Sequence, residues 1–534
     1  MGLRASAHID TFTRDNLPAA ETWPELLFDL PELRYPPVLN CAEALLDRTA
    51  ARLGAGRRCL VTDADTWTYG QLVERSNQVA RVLVEELRLV PGNRVLLRGP
   101  NNPWLVAAWF GVVKAGGVAV ATMPMLRAGE LRTIGEMALP RVALCDARLT
   151  ADLETAAIPG LETLVPYGGG SPDDLAARCE RRSPAFEPVA TSADDVCMLA
   201  FTSGTTGRPK ATMHFHRDVL AIADTFSRHL LRPAPDDLFA GSPPVAFTFG
   251  LGGLVVFPLH VGAATLLLEQ AGPDQLLEAI GRHRVSVLFT APTGFRAMLP
   301  NLDRADVSSL RRCVSAGETL PGATWTAFHE ATGLRLIDGL GSTEMLHIFV
   351  AAADGDCRPG WTGRAIPGYR ARVQDASGQP VPDGEPGLLA VQGPTGCRYL
   401  NGERQGQYVR GGWNLTGDVY VRDGDGYFRY QARADDMIVS AGYNIAGPEV
   451  ENALLRHPDV AETAVVGAPD PDRGTIVKAF VVLRPGVARS AETAAALQDF
   501  VKREIAPYKY PRSVEFVDAL PRTATGKLQR FRLR

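Results

Sequence analysis

The run Thr202-Ser-Gly-Thr-Thr-Gly-Arg-Pro-Lys210 gathers hydroxyls and glycines ahead of a cation. Glycines let a backbone approach an anion closely, hydroxyls and exposed N–H groups donate hydrogen bonds, and a lysine adds positive charge, so the run suits phosphate. Thr202, Ser203, Gly204, Thr205, Thr206, Gly207 and Lys210 are the candidate contacts. It is not a Walker A loop, because Lys210 follows Pro209 and no G-K-[ST] arrangement is present. Further along, Ser342 and Thr343 precede Glu344, which places two hydroxyls beside a carboxylate able to hold Mg²⁺ against nucleotide phosphates. Asp418 follows Gly417 in a short turn and offers a carboxylate to a vicinal diol. Read singly, Glu344 is an exposed loop acid, Asp418 a turn residue and Lys527 a solvated surface lysine; their company changes that reading.

Such groups need a scaffold of strand ends. Helical periodicity over Tyr69 to Leu87, the Pro91-Gly92 turn and the apolar run Arg94 to Arg98 predict a helix, a turn and a strand. Asn102-Pro103 opens a helix that stops at Gly116-Gly117, and Val118 to Thr122 reads as the next strand. Further strands are expected at Val196 to Phe201, Val285 to Thr290, Arg312 to Ser315 and Leu334 to Ile337, with helix-length spacers, as mostly parallel sheets require. After about residue 360 short strands with frequent Gly, Pro and Asp predict a β-rich subdomain. From Met437 a helix (Pro448 to Leu455), two strands (Thr463 to Val466, Ile476 to Leu483) and a helix (Ala491 to Ile505) form a compact α+β unit. The expected organisation is α/β: a large N-terminal domain at 1–433, a hinge at 434–436 and a small, mobile C-terminal domain at 437–534.

The chain's 534 residues, 46% hydrophobic and 22% charged, exclude a lone small module and a disordered or fibrous protein. A net charge of −4 leaves no basic field for nucleic acid or anionic lipid, so neither is an expected partner. The eight cysteines show no CxxC pair or metal-ligand spacing, which predicts reduced thiols in the cytoplasm and indicates neither a disulfide scaffold nor a zinc site. No apolar signal-peptide core is present near Met1, and the apolar stretch Val245 to Leu268, broken by Pro258 and His260, reads as buried core.

With these residues in place, the phosphate run resembles the signature of the adenylate-forming acyl-CoA synthetases, adenylation domains and luciferases. Four further motifs follow in family order: Asp338-Gly-Leu-Gly-Ser-Thr-Glu344, Thr416-Gly-Asp418, Arg433 to Ile445, and Pro521-Arg-Thr-Ala-Thr-Gly-Lys527. The resemblance implies ATP, Mg²⁺ and coenzyme A as co-substrates and cofactors. It implies that Thr343 binds the α-phosphate, that Glu344 holds Mg²⁺, and that Asp418 and Arg433 take the ribose. Adenine would lie along the Ser315 to Glu318 segment with Gly317 and Glu318, and Asp338 and Gly339 would be further nucleotide contacts. Lys527 would insert between the substrate carboxylate and the α-phosphate, offsetting charge during attack. Asp435 matches the hinge about which the small domain rotates, and Gly442 and Tyr443 the loop lining the thiol tunnel.

Within the family, Asp338 to Phe349 and Phe247-Thr-Phe-Gly-Leu-Gly-Gly253 resemble benzoate-type CoA ligases. Asp10 to Leu17, Leu30 to Pro36 and Ser440 to Val450 look most like the 2-aminobenzoate (anthranilate) enzymes. Phe247 and Phe249 beside Thr248 and Gly341 suit a flat aryl slot. His347 reads equally as a polar wall of that slot or as a packed core histidine. The aryl acid is thus the expected substrate, 2-aminobenzoate first and benzoate or another substituted benzoate next. Coenzyme A or a carrier-protein phosphopantetheine is the acceptor. A catalytically silent AMP-binding protein is the rival from another class.

Overall fold

The computed structural model describes residues 3–202, 209–402, 404–440, 443–470, 474–505, 507–522 and 528–533, without the side chains of Asp435, Val439, Tyr443 and Asn444. Strands β1 (Arg58–Val61), β2 (Thr66–Thr68), β3 (Arg94–Arg98), β4 (Val118–Thr122), β5 (Val142–Asp146), β6 (Thr163–Tyr167), β7 (Val196–Thr202) and β8 (Lys210–Phe215) come first. Six of them form one sheet in the order β6-β5-β3-β4-β7-β8, parallel except for the antiparallel pair β7–β8. Next come β9 (Leu238–Gly241), β10 (Ala264–Leu266), β11 (Val287–Thr290), β12 (Arg312–Ala316), β13 (Leu336–Gly341), β14 (Ile348–Ala351) and β15 (Arg364–Ala365). With β1 and β2 they build a nine-stranded sheet, β15-β14-β13-β12-β11-β9-β10-β1-β2, antiparallel only towards its ends.

Local chemistry starts the helices between them. In α1 (Tyr69–Arg81) Thr68 and Gln71 close a reciprocal capping box, which satisfies two otherwise orphaned N–H groups. In α2 (Pro103–Lys114) Asn102 caps the Leu105 N–H and Pro103 occupies the first turn, where its missing N–H costs nothing. The apolar stretch from Val245 forms short buried helical turns and then β10, as expected of core.

The β-rich part is an antiparallel sheet of β16 (Arg370–Gln374), β17 (Pro386–Gln392), β18 (Val409–Arg410), β19 (Trp413–Arg422) and β20 (Phe428–Arg433). A turn at Ala434–Asp436 follows β20. Beyond it lie β21 (Ile438–Ser440), β22 (Tyr443–Ile445), α3 (Gly447–Leu454), β23 (Val460–Asp470), β24 (Gly474–Leu483), α4 (Ala491–Glu504) and β25 (Ser513–Phe516). This C-terminal unit has its own core, in which Val450, Leu454, Val465, Val477, Leu497 and Val501 pack together. Charged pairs join it to the large domain: Arg522 with Glu318 at 3.5 Å and Arg296 with Glu462 at 3.3 Å. Among the described residues no helix is long and apolar enough to cross a membrane.

Candidate active site

β7 and β8 run antiparallel, with Thr202 opposite Lys210, so the phosphate run connects two strands rather than a strand and a helix. Lys210 Nζ stands 5.2 Å over the Tyr399 ring, a contact that steers the ammonium without neutralising it. Tyr399 O–H donates to Glu344 Oε1 at 2.5 Å, and burial first, then the neighbouring carboxylate, raises the phenol's pKa. The candidate phosphate cation and metal carboxylate thus meet on the two sides of one tyrosine.

The turn that presents Glu344 is fixed from below. His214 of β8 donates its Nε2–H to the Thr343 carbonyl at 2.8 Å, since a carbonyl can only accept. Met213 N–H donates to the Arg398 carbonyl at 2.8 Å, and fully buried Arg398 is paired with fully buried Asp218. That charge pair ties the Tyr399 segment to the helix after β8. Ser342 Oγ takes the Met345 N–H at 3.2 Å and lies 3.1 Å from the Tyr408 hydroxyl. Glu344 is buried with one oxygen engaged by Tyr399, while Oε2 carries no hydrogen bond among the described residues. One open carboxylate oxygen beside bound phosphates is what Mg²⁺ asks of a protein, because it keeps several waters and takes the remaining oxygens from substrate. These residues fit that ion.

Asp418 on β19 faces Arg433 on β20 in register, and Arg433 donates to the Asp418 carboxylate at 2.9 Å and to the Thr416 carbonyl at 3.1 Å. Gly417 between them has φ +76°, and a Cβ there would come within 2.9 Å of the Arg433 guanidinium. Two tyrosines, Tyr420 buried and Tyr408 partly buried, lie near this pair and the other acids. Burial first, then Glu344 and Asp418 among other groups, push the Tyr408 phenol up; burial, then Asp418 and Asp338, do the same to Tyr420. Asp418 thus shares the neighbourhood of Tyr408 with Glu344 and that of Tyr420 with Asp338.

Asp338 and Gly339 lie within β13, which runs on to Gly341 instead of ending near Ile337; ladders to β12 and β14 hold the glycines extended. Burial pushes the Asp338 carboxyl up to about 8, with a Thr362 hydrogen bond opposing. Asp338 also borders a cavity of about 330 Å³ shared by Thr319, Trp361, Tyr430 and, across the linker, Asn452 and Arg456. Gly317 has φ +90°, a conformation open to glycine, and puts Glu318 beside Arg522.

Phe247 caps a short helix that begins at Thr248, and the ring of Phe249 lies 5.7 Å from His347. His347 is enclosed by Phe226 at 5.6 Å and Phe257 at 4.6 Å, and a Cβ on Gly341 would strike its carbonyl at 2.7 Å. Neither ring nitrogen has a hydrogen-bond partner among the described residues. Burial lowers its pKa to about 3, with the Phe249 main chain opposing from outside hydrogen-bond geometry, so the ring is neutral. Ser203, Gly204, Thr205, Thr206, Gly207, Gly442 and Lys527 lie outside the described residues, as do the side chains of Asp435 and Tyr443. Sequence reasoning missed Tyr399, Tyr408 and His214, which position Glu344 and Thr343. A tyrosine in Gly-Cys-Arg-Tyr399 carries no spacing signal towards a carboxylate 55 positions away.

Comparison with known proteins accounts for the arrangement. The AMP-binding enzyme family matches residues 46–399, and the AMP-binding enzyme C-terminal domain matches residues 449–527. The chain is similar to a benzoate–CoA ligase of Thauera aromatica, 36% identical, covering 94% of this chain and 97% of the relative. It is similar to a 3-hydroxybenzoate–CoA ligase of Aromatoleum sp. (strain CIB), 32% identical over 93% and 96% of the two chains. Among solved structures, an anthranilate CoA ligase, AuaEII, in complex with anthranoyl-AMP superposes with a TM-score of 0.90 at 35% identity, over 95% of this chain and 98% of that one. A benzoate CoA ligase from Burkholderia xenovorans LB400 gives 0.86 at 34%, over 93% and 100%. The chain belongs to the AMP-binding enzyme family, with the adenylate-forming fold of its AMP-forming acid–CoA ligases.

Proposed function

We propose that this chain joins an aromatic carboxylate, 2-aminobenzoate foremost, to coenzyme A through an aryl-adenylate. In the first half-reaction the carboxylate attacks the α-phosphate of ATP and pyrophosphate leaves; in the second the thiol of coenzyme A displaces AMP. An anion attacking a polyanion needs cations placed where charge builds up. Lys210 and the hydroxyls from Thr202 to Thr206 hold the β- and γ-phosphates, the Thr343 hydroxyl the α-phosphate, and Lys527 bridges it to the carboxylate. Glu344, held by Tyr399 and by the turn that His214 anchors, would present Oε2 to Mg²⁺, which shields phosphate charge when bound. Asp418 with Arg433 binds the ribose, Gly317 and Glu318 border adenine, and Asp338 and Gly339 are further nucleotide contacts. Asp435 is the hinge between the half-reactions, and Gly442 with Tyr443 line the thiol's path.

The observation that carries the substrate reading is His347: a neutral imidazole with two unpaired nitrogens inside a box of phenylalanines. An aryl ring meets apolar and aromatic surface there, and an ortho amine can donate to the unprotonated ring nitrogen. The benzoate, hydroxybenzoate and anthranilate ligases among the relatives support the same class. To test the acceptor, the protein is given ATP, Mg²⁺ and 2-aminobenzoate with coenzyme A or with a phosphopantetheinylated carrier protein, and products are identified by mass. Thioester on coenzyme A is expected; thioester on the carrier alone would make it a carrier-loading enzyme, and pyrophosphate release with neither acceptor and no acid dependence would reject the reading.

A further inference from the structure

Two thiols and an imidazole that the chemistry above does not use meet inside the large domain. Cys41 opens the helical stretch at 41–53, next to Asn40, whose side-chain oxygen takes the Ala42 N–H at 3.1 Å. Cys197 lies in β7, and His216 follows β8 directly, 175 positions from Cys41. All three are fully buried, and the two sulfurs and a His216 ring nitrogen lie within 4.8 Å of one another.

His216 brings Nδ1 against Cys41, and an ion bound there takes over the lone pair that accepts the Cys41 N–H. His216 Nδ1 accepts the Cys41 N–H at 3.1 Å and stands 3.2 Å from Cys41 Sγ. A neutral imidazole that accepts at Nδ1 carries its proton on Nε2, and Nε2 has no hydrogen-bond partner among the described residues. A metal–sulfur bond of about 2.3 Å and a metal–nitrogen bond of about 2.0 Å put ligand atoms roughly 3.5 to 4 Å apart, so the observed spread needs only small adjustments. The donor set holds sulfur and nitrogen and no oxygen, which suits zinc and monovalent copper and does not suit Mg²⁺.

We propose that Cys41, Cys197 and His216 form a buried structural site for one thiophilic d¹⁰ cation, Zn²⁺ or Cu⁺, distinct from the ATP site. Two thiolates balance the charge of Zn²⁺, while three donors complete a trigonal Cu⁺. In either case the ion joins the helix at 41–53 to β7, which precedes the phosphate run, and to the start of the helix that follows β8 beyond it.

The test uses the full-length protein, stripped with a chelator and kept reduced, with Mg²⁺ present throughout. Zn²⁺ is titrated against a chromophoric chelator, and Cu⁺ anaerobically against a copper(I) chelator. One equivalent of one ion per chain is expected, with a rise in Tm on its addition, and the ion that binds identifies the site's metal. In the Cys41→Ser/Cys197→Ser double variant and in His216→Gln the stoichiometry should fall by about tenfold or more. Uptake by the wild type below about 0.1 equivalent of either ion, or unchanged uptake by a folded double variant, overturns the proposal. Should the variants fail to fold, Co²⁺-loaded wild-type protein still decides: thiolate-to-metal charge-transfer bands support the site, and their absence overturns it.

Discussion

Replacing His347 by alanine is the sharpest probe of the aryl slot. The imidazole is buried, neutral and unpaired, so a bound ortho amine would satisfy a ring nitrogen that benzoate leaves bare. Pairing a buried acceptor otherwise left unsatisfied contributes about 1 to 3 kcal/mol, and wild-type kcat/KM should favour 2-aminobenzoate over benzoate by about 5- to 150-fold. In His347→Ala that ratio should collapse to within about threefold. Truncation beside Phe226, Phe249 and Phe257 also leaves a cavity, so the variant loses activity towards both acids; the ratio removes that shared loss. His347→Asn retains an acceptor and should keep part of the preference. The assay is pyrophosphate release with each acid, in initial-rate mode. Because the folded pKa of His347 is about 3, the ring keeps one charge state from about pH 6 upward, and its contribution to the ratio is flat there. A wild-type ratio near unity, or one untouched by His347→Ala, would refute the pairing argument.

Lys527→Ala should slow adenylation at least about 100-fold, roughly 3 kcal/mol, while sparing much of thioester formation from presupplied aryl-adenylate; equal losses in the two half-reactions would remove its assigned role. Asp435→Pro fixes φ near −65° at the proposed hinge and should slow thioester formation while adenylation persists, as single-turnover rates of each step would reveal; wild-type rates in both would mean the hinge lies elsewhere. For Asp338 the folded pKa of about 8 exceeds the ordinary value of 3.8, so between these pH values the native state binds more protons than the unfolded one and stability falls as pH rises. Asp338→Asn lacks that slope, and its Tm relative to wild type should climb between about pH 5 and about pH 8.5; a difference independent of pH would show that the carboxyl titrates normally.

Much of the frame was legible because it is written locally. The apolar runs at Arg94 to Arg98 and Val118 to Thr122, and the Asn102-Pro103 helix start, each carry their own signal, and the strands fall at those residues. β8 was missed: Lys210 to Phe215 is almost wholly buried and short, so it lacks the alternation that marks a half-exposed strand. The strand expected at Leu334 to Ile337 runs on through Asp338-Gly-Leu-Gly341, where pairing with β12 and β14 holds glycines that carry no strand signal of their own. The phosphate run and the acids were legible as types, but what aims them was not. Tyr399 reaches Glu344, and His214 reaches Thr343, across separations that tertiary contacts set and local spacing cannot encode. The same reason hid Cys41, Cys197 and His216, which share no local motif and meet in the fold.

Competition in a single mixture tests the central claim most directly. Equimolar benzoate, 2-aminobenzoate, 3-hydroxybenzoate, acetate and a long-chain fatty acid are offered together with ATP, Mg²⁺ and limiting coenzyme A, and the thioesters are counted by mass spectrometry. Burial of an aryl ring contributes a few kcal/mol that acetate cannot match, so aryl thioesters should exceed acetyl-CoA by about a hundredfold, with 2-aminobenzoyl-CoA foremost. Benzoyl-CoA in first place would overturn the anthranilate preference alone, whereas a fatty acyl-CoA in first place would contradict the aryl site itself.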